Sequence, residues 1–115
     1  MTIKAATLDL EIEQGATAAW QFTLRQGKNG QPFDLSNCSI RSEVKETVDD
    51  ALPMASFTGT IIDQYNGTFV LSISKVESSK LVARRCVWDA FLDTPDGHTL
   101  KMFAGSLTVI RKVTT

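Results

Sequence analysis

WQFTLRQGKNGQPFDL, residues 20–35, alternates apolar and polar side chains, breaks at a run rich in glycine and asparagine, and resumes with Phe33 and Leu35 bracketing Asp34. Such a stretch is either a binding loop or a corner in a sheet. Before the break, Ala18, Trp20, Phe22 and Leu24 fall in one phase and Ala19, Gln21, Thr23 and Arg25 in the other, as in a strand with one dry face. Asn29-Gly30 tolerates the positive φ of a tight turn, and Pro32 cannot donate to a central ladder. Residues 26 to 32 are therefore turn chemistry, and the stretch predicts a corner.

Working outward, the period of two recurs. Leu8, Leu10 and Ile12 oppose Thr7, Asp9, Glu11 and Glu13, with Gly15 supplying the next corner. Ile40 and Val44 face inward from a strand whose outer row is Arg41, Glu43 and Lys45, and ETVDDALP follows as a loop with an acidic pair. Residues 55 to 74, divided by an Asn66-Gly67 turn, form a hairpin with Phe69, Leu71 and Ile73 inward. Ser74 with Glu77 three residues on marks one helical turn, in which Val76, Lys80 and Leu81 lie at helical spacing. Cys86, Trp88, Ala90 and Leu92 restore the strand period, Pro95-Asp96-Gly97 turns it, and Gly105 inside the last strand predicts a bulge or bend.

This pattern predicts an all-β chain: a small antiparallel Ig-like β-sandwich of about seven strands with one short helical turn, forming a single domain over residues 1–115. A partly closed barrel is the second architecture. Trp20, Phe22, Phe69, Leu71, Trp88 and Leu92 are expected to share one dry interior. A chain of 115 residues suits one core, and 43% hydrophobic with 22% charged residues is ordinary globular usage. The expected Ig hallmark of a tryptophan between two cysteines is missing, since Trp20 precedes Cys38 and Trp88 follows Cys86. The two cysteines read as reduced thiols buried as small apolar groups, with a disulfide as the minority reading.

Twelve basic against 13 acidic residues, net −1, argue against a broad cationic face for nucleic acid. The start of the chain lacks a charged segment followed by a long apolar run, and no window approaches the roughly 18 apolar residues that span a bilayer, so neither export nor a membrane is expected.

The residues that could carry chemistry do not combine. His98 is the sole histidine, and the two cysteines lack zinc-ligand spacing. Asp49-Asp50 and the set Asp93, Asp96 lack the alternating oxygens and terminal glutamate of a calcium loop. Nucleophilic catalysis finds no GxSxG, and GKNG precedes a strand where a phosphate loop would open a helix. Two glycosylation sequons, at Asn37 and Asn66, carry no meaning without export. The expectation is no enzyme, no cofactor and no metal. Phe91 differs from the other aromatic residues, lying in the outward phase between Asp89 and Asp93. With Val87 on that face, and Phe103 and Ile110 on the neighbouring strand, it makes a candidate partner-binding patch; cover by the helical turn is the rival explanation.

The order LDLEIEQGATAAWQFTLR, GKNGQPFDLSNCSIRSEVK, GTFVLSISKVESSKL and VWDAFLDTPDGHTLKMFAGSLTVIRKVT resembles a group of small virion structural proteins encoded by tailed phages and prophages. It is also similar to the N-terminal domain of phage upper-baseplate proteins. The shared features are an EQG corner, an aromatic strand, a G-x-P-x-DL turn, a short helix, a PDG turn and a final glycine-containing strand, from about Leu8 to Thr114. Ala90 and Phe91 stand where the group commonly has a larger apolar and then an acidic residue, and SNCS replaces the usual aromatic or glycine after DL. The resemblance implies a noncatalytic protein made in the host cytoplasm and resident in the virion. It would act as a capsid decoration or cement module or as a tail or baseplate accessory. Its implied partners are other virion proteins and itself as a homo-oligomer, with avidity from many copies. It also implies that PFDL positions a crossover between sheets, with Asp34 holding the turn through its carboxylate. A carbohydrate-binding β-sandwich module is the alternative function.

Overall fold

The computed structural model describes residues 6–26, 30–50, 52–82 and 84–113. Gly27, Lys28 and Asn29 at the tip of the expected first turn, Ala51 in the acidic loop, and Thr114 lie outside them. In chain order the elements are β1 (Ala6–Thr7), β2 (Leu10–Glu13), β3 (Ala18–Thr23), β4 (Arg25–Gln26), β5 (Gln31–Pro32), β6 (Ser39–Lys45), β7 (Ala55–Asp63), β8 (Thr68–Ile73), α1 (Lys75–Ser79), β9 (Arg85–Asp93) and β10 (Thr99–Ile110). Eight strands form one curled sheet in the order β1-β10-β9-β6-β7-β8-β3, with β2 also on β10; β4 and β5 pair separately.

The curl is made by β7, which changes partner along its length. Ala55, Ser56 and Phe57 pair with β6, whereas Thr58 to Ile61 pair with β8. Gly59 lies just past the switch, and a side chain there would meet Ile40 Cβ and Cγ2 at 2.6 Å, so the bare backbone lets the two layers close on each other. The folded-over sheet then packs aromatic on aromatic: Phe22 of β3 lies 4.8 Å from Phe103 of β10, and Phe57 stands edge-on to both Trp20 and Trp88. Phe69, Leu71, Trp88 and Leu92 are fully buried, and Trp20 and Phe22, on the sheet's last strand, are half-buried against them. The molecule is thus mostly β, a sheet curled into a half-barrel around one core.

One edge departs from the antiparallel expectation. β1 and β2 both run parallel to β10. The phase of their apolar residues was legible; the direction of a pairing between chain ends was not.

Residues 20–26 and 30–35 form a corner. β4 and β5 pair Arg25 with Pro32 and Gln26 with Gln31. Leu24 donates its amide to the Gly67 carbonyl at 2.7 Å, Phe33 to Leu24 at 3.0 Å, and Leu35 to Gln64 at 2.8 Å. Phe33 and Leu35 are buried beneath this bend. Asp34 stays outside, its carboxylate accepting the Ser36 amide and hydroxyl, which holds the carboxyl below its ordinary value.

Ser74 caps α1 by accepting the Glu77 amide. Glu77 does not turn back on the cap; its carboxylate accepts the Ser56 amide of β7 at 2.9 Å and pairs with Lys80. Of the residues at helical spacing Leu81 is buried and Val76 exposed, and Ser78 completes the buried side of the turn. Ser78 Oγ accepts the Gly15 amide and donates to the Glu13 carbonyl, tying the turn to the β2–β3 corner.

The bulge in the last strand falls at Met102, not at Gly105, because the register against β9 shifts between Lys101 and Phe103. Gly105 has a different task. A Cβ there would overlap the Leu8 carbonyl oxygen and stand 2.6 Å from its carbon. The vacant space admits the backbone of Leu8, whose carbonyl accepts the buried Trp88 indole N–H at 2.9 Å. The two cysteines are free, Cys86 buried and Cys38 half-buried.

Candidate functional site

Strand β9 sits between β6 and β10, and its residues alternate strictly: Cys86, Trp88, Ala90 and Leu92 face the core while Val87, Asp89, Phe91 and Asp93 face out. Register places Arg41 and Lys101 on either side of Phe91, and Glu43 and Ala104 on either side of Asp89. The outer face of these three strands is therefore a cross-strand patchwork of one aromatic ring, aliphatic groups and charges of both signs. Together with Val48 it forms a groove of about 420 Å³.

Phe91 is the centre of this face. The Arg41 guanidinium carbon lies 5.7 Å from the ring centroid and the Lys101 ammonium 5.9 Å, both inside cation–π range. Arg41 is fixed by Asp93, with Nε to Oδ2 at 2.6 Å and Nη2 to Oδ1 at 3.0 Å. Hydrogen bonds from Arg41 and Thr99 hold the Asp93 carboxyl below its ordinary value, and the pairing raises Arg41. Asp89 behaves oppositely. Burial pushes its carboxyl up, Lys101 pulls it down, Glu43 raises it again, and Lys45 and Arg41 lower it. The floor of the groove thus holds a carboxylate short of water among three cations that only partly compensate it.

The structure brings Val87 and Phe91 together and separates Phe103 from them. Phe103 packs inward with Phe22, Phe69 and Trp88. Lys101 and Phe103 would share a face on a regular strand; the extra residue at Met102 reverses the phase, so Phe103 leaves the patch. Ile110 pairs with Glu13 of β2, past the end of the β9 ladder. The helical turn does not cover Phe91, since α1 docks on β7 and the β2–β3 corner. Arg41 and Lys45 were visible as outward residues in the sequence, but the meeting of Arg41 with Lys101 on one ring follows from the placement of β6 beside β9, which chain order does not reveal.

The other candidate side chains are occupied by local turns. Asp50 accepts the Thr47 amide, Asp96 binds Thr94 and His98 Nδ1, and the His98 side chain is 65% exposed. Among the described residues no three His, Cys, Asp or Glu are grouped to hold a metal ion. No helix among them is long and apolar enough to cross a membrane. No protein-family model matches the chain, and no curated protein matches its sequence.

Proposed function

We propose that this chain is a noncatalytic structural protein of a tailed-phage virion, working by protein–protein docking as a capsid decoration or cement module or a tail or baseplate accessory. The observation that carries the reading is the outer face around Phe91. A large aromatic residue is held by Arg41 and Lys101 in the middle of a sheet, beside Val87 and a partly desolvated Asp89. Aromatic and arginine groups at the centre with polar groups around them are the anatomy of protein interfaces. The sequence resemblance supports the same reading. In that view the two layers are an Ig-like sandwich built on the seven strands of four or more residues, with β7 as the crossover.

Mass spectrometry of purified particles tests it: the chain should be present in many copies, and its absence from particles would overturn the proposal. Phe91→Ala should lower the occupancy while leaving the isolated protein folded. The groove volume also falls within the range of small-ligand sites, about 300–1,000 Å³. A carbohydrate module would need a bare ring face for stacking, whereas the Phe91 ring is attended by two cations; a glycan-array signal lost in Phe91→Ala would favour that second reading.

A further inference from the structure

The sheet has two ends, and they are finished differently. At one end β2 carries exposed Glu11 and Glu13, and the chain just before it is pinned by Asp9, whose carboxylate accepts the Ser106 amide and hydroxyl. Acidic side chains and an interrupted ladder are devices that keep a sheet edge from pairing. At the other end stands β3, Ala18 to Thr23, six residues with no charge, no proline and no bulge. Among the described residues it pairs with β8 alone.

The register fixes which backbone groups are free. The Leu24 amide donates to Gly67, continuing the pairing in which Phe22 faces Phe69 and Trp20 faces Leu71. Even-numbered residues therefore turn their amides and carbonyls toward β8, and alternation turns those of Ala19, Gln21 and Thr23 to the open side. Phe33 meets Leu24 on the side where Leu24 also meets Gly67, so among the described residues this contact lies away from the open side. Trp20 and Phe22 point toward the core yet remain half-buried, because no strand follows them.

We propose that β3 is an interaction edge and that its occupant is a second copy of this chain, joined antiparallel across a twofold axis at Gln21. Bonds between the free groups require odd residues to face odd residues. The twofold then places Gln21 opposite Gln21 and Ala19 opposite Thr23 as hydrogen-bonded pairs. Between them Trp20 of one copy stands opposite Phe22 of the other, so the half-buried rings cover each other. Arg25 falls opposite Thr17, so no like charges meet. A strand that can face itself without repulsion, with aromatic residues in matching positions, is an isologous interface. This inference does not depend on the virion reading or on the Phe91 groove.

Analytical ultracentrifugation of the full chain should show a dimer at twice the chain mass. Gln21→Lys, an exposed substitution whose new charge would confront its own copy, should give a monomer with the wild-type circular dichroism spectrum, whose melting temperature no longer rises with protein concentration. Gln21→Glu should do the same, and mixing the two variants should restore a dimer containing one of each. Wild-type protein that stays monomeric, or a dimer that persists in Gln21→Lys, would overturn the assignment. So would two variants that remain monomers when mixed.

Discussion

Replacing Gly105 with alanine should be among the most damaging single-methyl changes this fold can suffer. A methyl group in a strand ordinarily helps by about 0.5–1 kcal/mol, because it removes freedom from the unfolded chain. Here it must enter space held by the Leu8 backbone, which cannot yield by a rotamer change as a flexible side chain could. Moving that backbone costs about 1–3 kcal/mol, as for overpacking elsewhere. Displacement also breaks the bond from the Trp88 indole, which is 3% exposed, to the Leu8 carbonyl. A buried donor left unpaired costs about 1–3 kcal/mol more. The net expectation is a destabilisation of about 1–5 kcal/mol, a large share of the roughly 5–15 kcal/mol that holds a domain together. Urea unfolding followed by tryptophan fluorescence measures it, and amide exchange should show loss of protection in residues 6–13. Trp88→Phe separates the two contributions: once Gly105→Ala has broken the hydrogen bond, adding Trp88→Phe should cost about 0.5–1.5 kcal/mol less than it does alone. A Gly105→Ala protein within about 0.5 kcal/mol of wild type would refute the reasoning.

Gly59→Ala should destabilise by about 1–3 kcal/mol through Ile40, and Ile40→Ala in the same chain should recover part of that loss, which additive unfolding energies would disprove. Asp89 has a folded-state pKa above its unfolded value, so its stabilising effect is complete below the ordinary carboxylate range and is lost as pH rises through the raised value. Asp89→Asn should accordingly stabilise the protein near neutrality and lose that advantage in acid; an equal effect at every pH would contradict it.

Several features were legible because they are local. Strand phase placed Phe69, Leu71, Trp88 and Leu92 in the core, and the turn residues located the bends at Gly67 and Gly97, both of which adopt positive φ. Ser74 and Glu77 announced the helical turn, although the partner of Glu77 proved to be the Ser56 amide. The Phe91 face was half visible: its outward phase was plain, whereas Phe103 was misplaced because one extra residue at Met102 reversed the strand's alternation.

What the sequence determined by itself was a β protein with a defined inner and outer phase on each strand, since alternation is a property of neighbouring residues and needs no distant partner. Apart from the β7–β8 and β9–β10 hairpins, which their turn residues announced, the neighbours of each strand were decided only in three dimensions. The parallel pairing of β1 and β2 with β10, the change of partner along β7 and the gathering of Arg41 and Lys101 on Phe91 depend on contacts between different strands and not on neighbouring residues within one strand. Such contacts are selected by how the whole sheet closes over its core, and the vacancies at Gly59 and Gly105 acquire their meaning from the chain that fills them.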